Sequence, residues 1–419
     1  SNALKSRKII CVATSALRDA PNSSVFISRI KKDLGLNIKV IDGEKEAYYG
    51  GVAALNLLHD DTFVTVDIGG GSTEFCFVNK GKVEKSISLN IGTVRIKELY
   101  FNKNDIKGAK KYILDNLKKI SNLEIKIPKK VVGIGGSIRS LSKIVMTKNQ
   151  YPLDVLHEYM YKVRDEINLF NKISIAKNND DLKSFGVKKD RFDTIKEGAF
   201  IFKTILEELE IEEVVTSGVG VREGAYLADL LRTSNHKFPE NFNVSVRSLL
   251  DRFQIDEKQS AYLGNNAKKI FDVLKPIHNL DNKFRSLLVI SSKLHSIGST
   301  LNFYKSNDNA FDFILNGLNY DFLHTSRVLV AHTIKFSKKS LPTRNDILKY
   351  EELLPSLEVM EWMSFMISLN IAINQDLSRP KVEYVLNNNT LEIDLSNKSF
   401  LIQSNIDKLE SPEDLIIKI

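Results

Sequence analysis

Over its first half the chain alternates short apolar runs with helical periodicities, and it then changes texture. Runs rich in β-branched and aromatic residues at 9–13, 38–41, 63–68, 74–78, 83–89, 131–134 and 214–216 predict strands, because such side chains suit a pleated, half-buried surface. Between them, apolar positions spaced three and four apart predict helices at 25–34, 44–58, 105–120 and 194–209, the last opened by a capping box of Thr194 and Glu197. This alternation is an α/β pattern. Beyond Pro239 long helical periodicities run without a strand until 382–386 and 391–395, which flank Asn387-Asn388-Asn389 as in a hairpin.

Composition bounds the class. Hydrophobic residues form 42% of 419, and 21 Gly complete a globular profile that excludes a disordered or collagen-like chain. At about 150 residues per domain, the length suggests about three domains. No apolar stretch reaches the roughly 18 residues of a spanning helix, and no charged-then-apolar leader is present, so no membrane partner and a cytoplasmic setting are expected. Cys11 and Cys76 each sit in an apolar run and are expected to be reduced core thiols. Ser1-Asn2-Ala3, with no Met after it, resembles the remainder of a cleaved tag, and native residues are expected upstream.

Sixty Lys and Arg against 52 Asp and Glu leave +8, an excess that suits a polyanionic ligand and also plain solubility. Nine lysines face three acidic residues between Leu99 and Lys130, either as a solvated helix face or as a landing strip for a phosphate polymer.

The segment V-T-V-D-I-G-G-G-S-T-E at 64–74 delivers an acid from a strand into a triple-glycine turn followed by a second strand. Gly69, Gly70 and Gly71 let backbone N–H groups approach phosphate oxygens, Ser72 and Thr73 add hydroxyl donors, and Asp67 and Glu74 can face the same spot. The loop lacks the Lys and the following helix of G-x-x-x-x-G-K-[ST], which disfavours a P-loop enzyme. A second turn, Gly135-Gly136-Ser137, leaves a strand and enters a helix, whose N-terminus attracts anions. A third, S-G-V-G-V-R-E-G at 217–224, brings Arg222 and is either a ligand contact or a packing turn. Arg18 in A-T-S-A-L-R-D-A-P-N at 13–22 follows a strand where a loop opens toward a cleft, and the acids of D-G-E-K-E-A at 42–47 could simply complement a helix dipole.

Taken in order, these blocks, together with L-N-I-G-T-V-R at 89–95, resemble the exopolyphosphatase and guanosine pentaphosphate phosphohydrolase family over roughly residues 8–231. The resemblance implies an actin-like, ribonuclease-H-like two-domain fold with the active site in the interdomain cleft. It places a remnant of the first domain at 4–43, the second domain at 44–222 and a returning helix at 223–238. A helical domain similar to the metal-dependent HD phosphohydrolases follows at 239–376, and a small C-terminal α/β element at 377–419.

Residue by residue, the resemblance makes Glu46 the base for the attacking water, or the residue that positions it, and Glu74 the second catalytic carboxylate. It links Asp67 to Mg²⁺, assigns Gly69 to Thr73 and Gly135 to Ser137 to phosphate, and gives Arg18 and Arg222 to the polyanion. Two features depart from the family: Lys45 replaces a family glutamate, leaving a slip to Glu44 open, and no D-I-G-S-N-S-type block precedes Leu4. In the helical domain Leu294-His295-Ser296 carries Ser where the metal-binding Asp would be, and neither His324 nor His332 restores a ligand set.

The implied activity is Mg²⁺-assisted release of terminal orthophosphate from inorganic polyphosphate, from guanosine pentaphosphate, or from both, by a homodimer that binds no nucleic acid polymer. An actin-like ATPase or kinase, and a non-catalytic sensor of polyphosphate or alarmone, remain the alternatives.

Overall fold

The computed structural model describes residues 8–240, 242–397 and 399–419; Ser1-Asn2-Ala3 lies outside them. The chain divides into two compact units, Ser1–Asn241 and Phe242–Ile419, against about three suggested by length. In the first unit, β1 (Cys11–Ala13) and β2 (Ile38–Val40) pair in parallel, joined by helices Ser15–Asp19 and Ser23–Leu34.

A larger sheet contains β3 (Phe63–Ile68), β4 (Thr73–Asn79), β5 (Lys82–Leu89), β6 (Lys130–Ile134), β7 (Met160–Lys162) and β8 (Glu213–Thr216) in the order β5-β4-β3-β6-β8-β7. The β3-β4-β5 meander is antiparallel, β6 and β8 extend it in parallel with β3, and β7 closes the edge antiparallel to β8. A meander continued by parallel strands is the ribonuclease-H-like order of the actin-like fold. β7 escapes sequence reading because Met160-Tyr161-Lys162 carries neither a β-branched run nor a longer alternation.

Strand alternation divides the chemistry between the two faces. Val64, Val66, Phe75 and Phe77 point to one side, where they are buried with residues of helices Ile106–Ser121, Gly135–Lys148 and Ile195–Glu208. Burial of each such side chain contributes roughly 1.5–3 kcal/mol. Thr65, Asp67, Glu74 and Cys76 occupy the other side, beneath helix Gly43–Leu57. That helix buries small residues, among them Gly50, Gly51, Ala53 and Ala54, and lies so close to β4 that a Cβ on Gly51 would meet Cys76 Sγ at 2.1 Å.

Two sequence expectations need correction. Thr194 does precede helix Ile195–Glu208 but makes no side-chain cap, because its backbone (φ −138°, ψ −5°) is not the extended form that aims a capping hydroxyl, and Glu197 turns inward to 5% exposure. Cys76 is a buried free thiol that burial pushes up to about 11, whereas Cys11, on the thin β1-β2 ribbon, is only half-buried.

In the second unit, helix Leu357–Ile373 is buried nearly all round and packs against Glu257–His278, Asn282–Leu294 and His324–Lys335. β9 (Val382–Asn387) and β10 (Thr390–Leu395) form the expected hairpin, and β11 (Ile416–Lys418) adds in parallel to β10. The imidazoles are turned to backbone carbonyls, His295 to Ser292 at 2.9 Å and His332 to Val328 at 2.8 Å, and burial pushes His332 down to about 4. Among the described residues no single helix is long and apolar enough to cross a membrane.

Candidate active site

Asp67 and Glu74 are direct partners in the β3-β4 register, which sets their side chains on one face. Helix Gly43–Leu57 brings Glu46 over that face from its first turn. Asp42 caps the helix by accepting from Lys45 N–H at 2.7 Å, and Gly43 sits so tightly on β5 that a Cβ there would meet Ser88 Cβ at 2.3 Å. Ser88 also donates to Glu74 Oε1 at 2.8 Å, so one serine ties the helix start to the strand carboxylate.

The neighbouring acids differ in burial. Glu46 is largely buried, with its side chain 12% exposed, whereas Glu44 faces solvent. The departure at Lys45 does not enter the cluster, because its ammonium lies over the rings of Tyr48 and Tyr49 at 4.5 and 5.0 Å. Arg18 reaches across from the β1 side to donate to Ile41 O at 2.7 Å and to pair with Glu46 at 3.4 Å.

Burial and mutual repulsion set the ionisation of the three carboxylates. Burial lifts Glu74 to about 8, with the Glu46 charge adding to the rise and the hydroxyls of Ser72 and Ser88 opposing it. Asp67 rises to about 6 by burial and the same Glu46 charge, against the pull of Arg139. Glu46 is raised by burial, while the Arg18 charge and hydrogen bonds from Arg18 and Thr14 hold it back.

The triple-glycine turn is fastened from outside. Gly69 N–H donates to Ser72 O, Gly69 O accepts from Thr93 N–H, and Gly70 O accepts from Val94 and Arg95 N–H. Gly92 is the residue that permits this approach, since a Cβ there would meet Gly70 O at 2.2 Å. Arg95 Nε donates to Gly71 O at 2.9 Å. The hydroxyls expected as phosphate donors are committed elsewhere. The Ser72 hydroxyl acts on Glu74, opposing the rise in its pKa, and Thr73, fully buried at the start of β4, donates to Ile91 O.

Gly135, Gly136 and Ser137 form the first turn of helix Gly135–Lys148. Gly135 has φ +83°, and a Cβ there would meet Asp67 Oδ1 at 2.3 Å, so this turn lies directly against the strand carboxylate. Ser137 abuts Gly198, where a Cβ would stand 3.0 Å from the serine Cβ.

The third glycine stretch serves packing. Gly224 faces the backbone of Tyr49, which a Cβ would meet at 1.8 Å, and Glu223 accepts from Gly220 N–H at 2.9 Å. Arg222 is 91% exposed, with its guanidinium on Glu223 at 2.7 Å.

Sequence reasoning missed Arg139, whose charge bears on Asp67 and whose Nε donates to Ser217 O at 2.8 Å. It also missed Ser88, and Ser15 beside Gly71. A signal for Arg139 existed in its place one helical turn beyond Gly135, on the face that meets the sheet end.

Among the described residues no group of three or more His, Cys, Asp or Glu side chains is gathered closely enough to hold a metal ion by itself. The donors nevertheless fit Mg²⁺, which is commonly bound through one or two carboxylates together with substrate phosphates and water. Asp67 and Glu74 are hard oxygen donors whose ionisation burial suppresses, and a cation would restore it.

The candidate site is thus a ribonuclease-H-like sheet carrying paired carboxylates beside two glycine turns. Residues 2–233, more than half of the chain, match the Ppx/GppA phosphatase family, and the protein belongs to that family.

The chain is similar to a bifunctional 3-dehydroquinate synthase/phosphatase of Fusobacterium nucleatum, 31% identical over 51% of this chain and 33% of the relative. It is similar to a guanosine-5'-triphosphate,3'-diphosphate pyrophosphatase of Photobacterium profundum, 26% identical over 81% of this chain and 67% of the relative. Among solved structures it resembles the Aquifex aeolicus Ppx/GppA family member at 29% identity, over 56% of this chain and 77% of that one, with a TM-score of 0.48. The chain thus spans between a third and two thirds of the length of these two curated relatives.

Proposed function

We propose that this protein is a hydrolase that releases terminal orthophosphate from guanosine pentaphosphate, inorganic polyphosphate or both, by attack of water. The observation that carries this reading is the gathering of Glu46, Asp67 and Glu74 beneath glycine turns 69–71 and 135–136, with Arg18 on Glu46. Phosphoryl transfer asks for an oriented water and for charge stabilisation around the transferred group, not for a covalent nucleophile.

Glu46, restrained by Arg18, accepts a proton from water as its oxygen attacks the terminal phosphorus, and the P–O–P bridge breaks with its electrons on the shortened chain. Exposed backbone N–H groups of the glycine turns orient the phosphoryl oxygens. Mg²⁺ held through Asp67 and Glu74 would neutralise charge on the phosphates. The matched relatives' name, guanosine-5'-triphosphate,3'-diphosphate pyrophosphatase, supports a substrate of this class. A homodimer in the cytoplasm is part of the same proposal.

The test is orthophosphate release from guanosine pentaphosphate and long-chain polyphosphate in parallel, with and without Mg²⁺, by wild type and Glu46→Ala. Release that the variant loses supports the proposal; a folded protein releasing nothing from either polyanion overturns it.

A further inference from the structure

A cavity of about 670 Å³ opens within the helical unit, where the start of helix Glu257–His278 faces the end of helix Asn282–Leu294. Its volume falls in the range of pockets that hold small organic molecules. Buried Leu263 and half-buried Ile371 give it an apolar wall, and Lys293 is its cation and Asp256 its carboxylate.

Two polar groups on this lining lack partners among the described residues. Ser260 is 6% exposed, yet its hydroxyl makes no hydrogen bond. Lys293 is half-buried, and its ammonium makes neither a hydrogen bond nor an ion pair. The lysine is nonetheless placed by packing. Gly264, one helical turn beyond Ser260, gives way to its chain, since a Cβ there would meet Lys293 Cε at 2.7 Å and Cγ at 3.3 Å. A half-buried ammonium that has lost part of its hydration without gaining a counter-ion calls for an anion from outside.

The remaining polar groups accept. His295 Nδ1 meets Ser292 O at 2.9 Å, and a carbonyl only accepts, so Nδ1 carries the proton and Nε2 is left as an acceptor. Burial favours this neutral ring. Asp256 Oδ1 takes the Gln259 N–H at 2.7 Å, which leaves Oδ2 for a ligand.

One ammonium matches a monoanion, not a polyphosphate, and the volume is far larger than an ion needs. A carboxylate on Lys293 and Ser260 would leave the rest of its molecule beside two acceptors, which suit an amino or hydroxyl donor. We infer that this cavity binds a small amino or hydroxy acid, with its carboxylate on Lys293 and Ser260, its donor on His295 Nε2 or Asp256, and its apolar part on Leu263 and Ile371. None of these residues belongs to the phosphate-releasing site, so the assignment stands or falls without it.

Saturation-transfer NMR and thermal melting of the full chain, with the protein amino acids, lactate, propionate and inorganic phosphate as probes, test this. At least one amino or hydroxy acid is expected to bind with a Kd below about 1 mM, and at least about tenfold tighter than propionate or phosphate. Lys293→Met keeps the alkyl chain against Gly264 and should weaken that probe by at least about tenfold. Ser260→Ala should weaken it by about fivefold, the scale of one hydrogen bond, and serves as the second variant should Lys293→Met melt early. Lys305→Met, outside the cavity, should leave the affinity within about twofold. Failure of every amino and hydroxy acid to bind at that level, propionate or phosphate binding as tightly as the best of them, or an affinity unchanged in both Lys293→Met and Ser260→Ala would overturn the inference.

Discussion

Glu46 and Glu74 approach from different elements, a helix start and a strand start, and Ser88 is the strut common to both: it abuts Gly43 at the helix N-terminus and donates to Glu74 Oε1 at 2.8 Å. The spacing of the acids is therefore set by backbone packing and not by the acids themselves, which repel one another. Such a site keeps its geometry when one carboxylate is neutralised, so isosteric variants report chemistry more than folding.

Glu46→Gln and Glu74→Gln should each lower phosphate release by about 10²-fold or more, the scale for losing a positioned acid or base. Initial rates at saturating substrate check this. Wild-type turnover in both variants would remove these residues from the mechanism.

Stability should fall as pH rises. Glu74 titrates near 8 in the folded chain against 4.5 for an ordinary glutamate, so across that window the folded state keeps a proton that the unfolded state has lost. Asp67, near 6 against 3.8, adds to the lower part of the window. Glu74→Gln should therefore gain on wild type between pH 5 and 8, by at most about 1.4 kcal/mol per pH unit. Urea midpoints of the two proteins at both pH values, without added Mg²⁺, measure the gap; parallel curves would contradict it.

Arg18→Met should shift the acid limb of kcat/KM to higher pH, because the lost cation no longer opposes the burial that raises Glu46. A pH–rate profile that loses height without moving would mean that Arg18 acts on the substrate alone.

Gly135→Ala forces a methyl onto Asp67 Oδ1 at a backbone φ of +83°. It should cost about 1–3 kcal/mol in stability and also depress activity, because the displaced group is itself part of the site. Thermal melting and phosphate release, measured together, should fall in the same variant.

Asp67→Asn should raise the Mg²⁺ concentration for half-maximal activity by about tenfold, the lower scale for weakening a metal's protein ligands. A Mg²⁺ titration unchanged from wild type would detach Asp67 from the metal.

Elements with a strong period were legible from the residues alone: 63–68 is a strand to the residue, and helix Gly43–Leu57 lies within one position of its predicted bounds. Asp67 and Glu74 could be joined beforehand because a tight turn between two strands pairs the residues flanking it. Arg139, Ser88 and Ser15 could not, since long-range folding brings them in. Sequence names Thr73 as a donor, but the direction of β4 decides that its hydroxyl meets Ile91 O. Thr194 and Glu197 had the spelling of a capping box without its backbone angles.

The lacing of Gly69 and Gly70 to residues 93–95 also bears on the speed and economy of recognition. A glycine-rich loop left loose would have to surrender its conformational freedom each time a polyanion arrived. Here the helix Thr93–Leu99 and its neighbour Gly92 have already taken that freedom away during folding. Under the proposed function, a phosphate arriving here would meet a rigid cradle, leaving its binding energy for the reacting bond.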